Sequence, residues 1–186
     1  MADLVCRDPE MDLPVNMSNI VLVGFMGTGK SSVGRAVAGL LGMSFVDMDD
    51  VIELRAKKKI SAIFAEEGEK HFRSLERALV KELSAQTGLV IACGGGVVLN
   101  PDNISDYSRT GTVICLMADP DTILKRVSGS SHRPLLEGDE KSKKIISLLE
   151  SRRALYGAIP IRIDTSTMSV ADVAGEVIRL AGCKRD

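Results

Sequence analysis

Short apolar runs alternate with longer amphipathic stretches along this chain, the pattern of βαβ units that lay helices on both faces of a parallel sheet. The run Asn19–Val23 is β-rich and predicts a buried central strand. After a glycine-rich turn, Val33, Ala36, Val37, Leu40 and Leu41 recur at helical spacing, and Gly42 supplies a C-terminal cap. Ser44–Asp47 predicts a second strand. Residues 49–83 read as helix, broken near Lys59 and Gly68, with an apolar stripe at Leu75, Ala78, Leu79 and Leu83. A buried strand over 89–93 stops at Gly94-Gly95-Gly96, and another covers 112–116. Asn100-Pro101 and Asp119-Pro120 each place a capping residue before proline at the first helical position. Residues 128–139 carry Gly, Ser and charge with no apolar period, which predicts a loop. A helix is expected over 141–156 and a short strand over 161–163. Ser169 and Asp172 form a capping box ahead of Val170, Val173, Ala174, Val177 and Ile178. The fold class is α/β, in a single domain over 19–182, with 1–18 as a flexible N-terminal extension.

With 186 residues and 45% hydrophobic content, the chain suits one compact domain and would crowd two. Lys and Arg number 24 against 25 Asp and Glu, a formal charge of −1, so neither nucleic acid nor an anionic membrane is an expected partner. An anionic ligand must then be held by locally placed cations and backbone N–H groups. Aromatic content of 3% without Trp argues against stacking platforms for single strands. Cys6, Cys93, Cys115 and Cys183 are widely spread with no metal-binding spacing, a usage that suits a reducing compartment. No apolar stretch approaches a membrane span. Residues 1–18 carry Asp3, Asp8, Glu10 and Asp12 and lack an apolar h-region, unlike a secretory signal or transit peptide. A cytoplasmic monomer is the resulting expectation.

The chemistry begins at Gly24-Phe25-Met26-Gly27-Thr28-Gly29-Lys30-Ser31, which fits G-x-x-x-x-G-K-[ST] between an apolar strand and an amphipathic helix. Glycines let successive N–H groups turn inward around phosphate oxygens, and the helix N-terminus adds partial positive charge. Lys30 is placed to reach the β- and γ-phosphates, and the Ser31 hydroxyl to ligate Mg²⁺. No guanine-reading N/T-K-x-D motif is present, and the strand over 89–93 ends in glycines where a motor ATPase would place Asp. The small nucleotide and metabolite kinases remain. Asp47-Met48-Asp49 lies at the end of the second strand, where open α/β sheets bind ligands. In an extended segment both carboxylates face one side, one for the Mg²⁺ water shell and one to orient or deprotonate a hydroxyl. Alternatively Asp49 or Asp50 caps the next helix. Three successive glycines at 94–96 leave backbone N–H groups open to a ligand. Arg133, in the polar segment 128–139, suits a lid that closes a cation onto transferring phosphates.

Taken in order, these motifs resemble the shikimate kinases. The resemblance rests on the P-loop beginning Gly-Phe-Met-Gly, Asp47-Met48-Asp49, Gly68-Glu69 with Phe72-Arg73 and Glu76, the triple glycine, Arg133-Pro134-Leu135-Leu136, and Arg152-Arg153 before Leu155-Tyr156. It implies a three-layer P-loop kinase fold, a five-stranded parallel sheet flanked by helices with a mobile lid, and ATP-dependent phosphorylation of the 3-hydroxyl of shikimate. By that resemblance Gly27, Thr28, Gly29, Lys30, Ser31 and Ser32 hold the nucleotide, and Arg126 and the segment after Asp164 flank adenine. Arg133 closes on the phosphates, and Ser31 and Asp47 serve Mg²⁺. Asp49 binds the acceptor hydroxyls and acts as base, Arg73 and Arg153 grip the carboxylate, and Gly94, Gly95 and Gly96 fix the ring. Two departures stand out: Pro160-Ile161 where relatives carry Ala-Asp, and Lys58-Lys59 where a glycine is common. The same residue types would also serve a kinase of another hydroxy acid such as gluconate, and a catalytically dead nucleotide-binding module would have lost Lys30, Asp49 or an anchoring arginine.

Overall fold

The computed structural model describes residues 18–128 and 139–183. The expected N-terminal extension, up to residue 17, and the segment around Arg133 expected to form a lid lie outside the described residues. The order is β1 (Asn19–Val23), α1 (Lys30–Leu41), β2 (Ser44–Asp47), α2 (Met48–Ala56), α3 (Ile60–Glu66), α4 (Gly68–Ser84), β3 (Leu89–Ala92) and a 3₁₀ turn over Val97–Leu99. There follow α5 (Pro101–Thr110), β4 (Gly111–Met117), α6 (Pro120–Ser128), α7 (Asp139–Gly157), β5 (Ile161–Asp164) and α8 (Val170–Leu180). The five strands are parallel in the order β2-β3-β1-β4-β5. The chain builds the β2–β3 side of β1 first and the β4–β5 side afterwards. The C-terminal end of β1 is therefore the topological switch point, where a crevice opens.

Strand alternation sorts the core into two layers. Ile20 and Leu22 of β1, with Val90, Ile114, Leu116 and Ile163, pack on Val33 and Val37 of α1 and Val173 and Val177 of α8. Val21 and Val23, with Ile91, Val113 and Cys115, face the opposite layer, which includes Phe72, Leu79 and Leu83 of α4 and Tyr107 of α5. Each fully buried aliphatic side chain stabilises by about 1.5–3 kcal/mol. Asn19 is buried at the first position of β1 because its amide closes a corner of the fold. Its Nδ2 donates to Gln86 O at 2.7 Å and its Oδ1 accepts from Leu89 N at 3.0 Å, joining the end of α4 to the start of β3.

The expected caps form: Asn100 accepts from Asp102 N, Asp119 from Thr122 N at 2.8 Å, and Ser169 from Asp172 N. Two stripes differ from expectation. Leu40 of α1 is exposed, and the buried face of α1 is Val33, Gly34, Val37 and Ala38. In α4, Ala78 is exposed and the buried face is Phe72, Glu76, Leu79, Val80 and Leu83, so a carboxylate occupies a core position. Pro160 precedes the edge strand β5, where a missing N–H costs no ladder bond.

The break expected near Lys59 falls at Lys57, which caps α2 with φ 53 and is the positive-φ non-glycine residue among those described. Lys58 pairs with Glu66 and Glu67, and Lys59 with Glu53, so the lysine run is a solvated, ion-paired face. Left-handed backbone costs a side-chain-bearing residue about 1 kcal/mol relative to glycine. Lys57→Gly is accordingly expected to raise stability by about 0.5–1 kcal/mol, read as a higher urea midpoint at unchanged slope. A lowered midpoint would contradict strain at this position.

Candidate active site

The P-loop leaves β1 through Gly24, whose φ of 140 suits glycine alone and whose α-carbon lies so close to the Leu116 carbonyl that a Cβ would collide with it. The loop then closes on itself. Thr28 Oγ1 donates to Phe25 O at 2.8 Å, and Lys30 Nζ donates to the same carbonyl at 2.9 Å. Lys30 begins α1, so its ammonium and the unsatisfied N–H groups of the first turn converge on one volume. That volume is a cavity of about 440 Å³, lined by the P-loop residues Gly27 to Ser32, by Asp47 and Asp49, and by Gly95 and Arg126.

The two aspartates do not share an extended segment. β2 ends at Asp47, and Asp49 already lies in the first turn of α2. Asp47, rather than Asp49 or Asp50, is the N-cap, its Oδ1 accepting from Asp49 N at 3.1 Å. Its Oδ2 accepts from Ser31 Oγ at 2.6 Å. A hydroxyl and a carboxylate thus meet at the mouth of the P-loop, a hard-oxygen donor set suited to Mg²⁺ completed by phosphates and water. Among the described residues no three His, Cys, Asp or Glu side chains cluster into a metal site.

Asp49 turns the other way, against the triple glycine. A Cβ on Gly94 would stand 2.7 Å from Asp49 Oδ1, and one on Gly96 would collide with the Arg73 guanidinium. These glycines are therefore small because functional side chains press against them. Arg73 comes from α4, its Nη1 donating to Glu76 Oε2 at 2.9 Å and its Nη2 to Glu69 Oε1 at 3.0 Å. The Glu76 side chain is 3% exposed, and its Oε1 has no hydrogen-bond partner among the described residues. Burial pushes its carboxyl pKa up against the pull of Arg73, and the Asp49 charge adds to the rise.

From α7 the structure turns a different arginine toward this site than expected. Arg152 Nη1 donates to Gly95 O at 3.2 Å. Arg153 is 74% exposed and approaches Glu150 at 3.4 Å on the outer side of the helix. The cause is helical register. Ile145, Leu148, Leu149 and Tyr156 pack on the core, and Arg152 lies about 20° from the centre of that face while Arg153 lies about 80° from it. Tyr156 was absent from the expected site residues, yet its hydroxyl donates to Gly95 O at 2.6 Å. Its apolar spacing from Ile145 and Leu149 was the signal that sets the register.

Arg126, expected to flank adenine, lines the same cavity as the P-loop. Its Nη1 donates to Thr165 Oγ1 at 3.0 Å and Gly27 O at 3.3 Å, and its Nη2 to Thr165 O at 2.7 Å. The buried Thr165 hydroxyl also lies 3.1 Å from Thr28 O. The guanidinium is thereby fixed at the wall of the cavity that Met168 and Val170 also line.

Comparison with known proteins agrees with this geometry. A family model described as shikimate kinase matches residues 26–181. The shikimate kinase of Caldanaerobacter subterraneus subsp. tengcongensis is 45% identical over 163 residues, covering 88% of this chain and 95% of that protein. Among solved structures, shikimate kinase from Acinetobacter baumannii in complex with shikimate superposes with a TM-score of 0.81 at 36% identity, over 88% of this chain and 92% of that one. A gluconokinase from Sinorhizobium meliloti shares the fold alone, at 19% identity and a TM-score of 0.57, over 89% of this chain and 94% of that one. With the family match running from the P-loop through the end of α8, the chain belongs to the shikimate kinase family.

Proposed function

We propose that this chain transfers the γ-phosphoryl group of ATP to the 3-hydroxyl of shikimate, giving ADP and shikimate 3-phosphate. The observation that carries the reading is the acceptor side of the P-loop cavity. One carboxylate (Asp49) and the Gly95 backbone line the cavity together with Lys30, and two arginines converge on the same glycine loop, Arg73 against Gly96 and Arg152 on Gly95 O. A hydroxy acid fits such a surface: the arginines take its carboxylate, and Asp49 takes its hydroxyls.

In the reaction the acceptor oxygen attacks the γ-phosphorus as the bond from that phosphorus to the β–γ bridging oxygen breaks. Asp49 orients the hydroxyl and receives its proton. Lys30 and the P-loop N–H groups of residues 27–32 stabilise charge on the β- and γ-phosphates. Mg²⁺, when bound, neutralises charge on the same phosphates, and Ser31 with Asp47 would hold it. Arg126 faces the base, and we assign Arg133 to the transferring phosphates. The retained Lys30, Asp49, Arg73 and Arg152 argue for an active enzyme over a nucleotide-binding module. Cys93 and Cys115 are buried free thiols, and no helix among the described residues is long and apolar enough to cross a membrane. On the free thiols we assign a reducing, cytoplasmic compartment, and we take the monomer as the working state.

A coupled ADP-release assay with shikimate, gluconate and no acceptor tests the reaction. Turnover is expected with shikimate alone, and turnover confined to gluconate would overturn the reading.

A further inference from the structure

One buried hydroxyl touches the acceptor loop without touching the cavity that holds the phosphates. Tyr156, near the end of α7, is 4% exposed, and its ring stands edge-on to Phe25 of the P-loop, with centroids 6.5 Å apart at 82°. Its hydroxyl donates to Gly95 O at 2.6 Å, the same carbonyl that Arg152 reaches at 3.2 Å. Burial pushes the phenol pKa up to about 12, so it is a hydrogen-bond donor throughout the working pH range.

The peptide that joins Gly95 to Gly96 is trans, so its C=O and N–H point in opposite directions. A carbonyl held toward α7 turns the Gly96 N–H away from α7. That N–H donates to no backbone carbonyl among the described residues. Between two glycines a peptide plane rotates with little steric resistance, so its direction has to be imposed from outside. Two donors impose it here, and they differ in kind. Arg152 is a flexible cation that an incoming carboxylate would draw away from Gly95. Tyr156 is packed on Phe25 and uncharged, and its one O–H is already committed to Gly95 O.

We propose that Tyr156 is a positioning residue for the acceptor: it holds the Gly95–Gly96 peptide so that the Gly96 N–H faces bound substrate while Arg152 is engaged by the substrate carboxylate. The inference rests on the shikimate reading given above. Tyr156 acts through the glycine loop and itself contacts neither nucleotide nor acceptor. Its ring, by contrast, touches the P-loop, so hydroxyl and ring have separable effects.

Tyr156→Phe removes the hydroxyl and keeps the ring. Steady-state kinetics with shikimate and ATP varied separately, alongside the melting temperature, provide the test. The expected result is a rise in KM for shikimate of about tenfold, the loss of one well-formed hydrogen bond. KM for ATP should stay within about twofold, and the melting temperature within about 3 °C. Tyr156→Leu, which also removes the ring from Phe25, should raise both KM values. An unchanged shikimate KM in Tyr156→Phe would overturn the positioning role, as would equal rises in both constants. Wild-type protein that turns over ATP with an acceptor other than shikimate would instead overturn the reading on which the role rests.

Discussion

Asp49→Asn is expected to lower kcat for shikimate phosphorylation by about 10²–10⁴-fold, the range for a positioned general base. Asparagine has nearly the same shape and can still accept a hydrogen bond from the acceptor hydroxyl, but it cannot take the proton. Because Asp47 and not Asp49 caps α2, the substitution leaves the cap bond in place. It removes one of two acidic residues in the first turn, at a cost of about 0.3–1 kcal/mol. ATP affinity should therefore hold within about twofold, since Lys30 and the loop amides supply that binding. Single-turnover rates separate the chemical step from release. An unchanged rate of phosphoryl transfer in Asp49→Asn would remove Asp49 as base and orienter together.

The second large effect is a contrast between adjacent residues. Arg152→Ala is expected to weaken shikimate binding by about 2–3 kcal/mol, or roughly 30- to 150-fold, the loss of a charge-assisted contact. Arg153→Ala should change it by less than about twofold, because an exposed arginine near Glu150 contributes little. Calorimetric titration of each variant with shikimate in the presence of ADP makes the comparison. Equal losses in the two variants, or a loss in Arg153→Ala alone, would contradict the helical register described for α7. Arg152 and Tyr156 share Gly95 O in the ligand-free protein, so the effects of Arg152→Ala and Tyr156→Phe are expected to couple through that loop.

That pair of arginines marks where reading the chain by residue type stops working. The strands, the P-loop and the helix caps were legible because each is encoded locally: alternating apolar runs, glycines before Lys30, and capping residues before proline or an apolar stripe. The site residues were legible as types but not always as positions. Arg152 and Arg153 offer identical chemistry, and only the phase set by Ile145, Leu148, Leu149 and Tyr156 together tells which lies nearer the packed face. The aspartate pair misled for a related reason. A two-residue spacing has one meaning in a strand and another across a strand-to-helix junction, and the junction falls directly after Asp47. In α4 the motif resemblance marked Glu76, but nothing local showed it buried at a core position in place of Ala78. That carboxylate is held by Arg73 from the same helix together with the acceptor loop packed against both.

The strand order has a consequence for how the chain is made. Of the five strands described, β1 leaves the ribosome first and ends as the middle strand of the finished sheet, paired at Val21 with Ile91 on one side and Val113 on the other. Those partners are synthesised roughly 70 and 90 residues later. At about 5–20 residues per second, the apolar segment that anchors the P-loop waits on the order of 4–14 s with both edges open. During that interval the strand that aims the phosphate site is also the segment most open to pairing with another nascent chain.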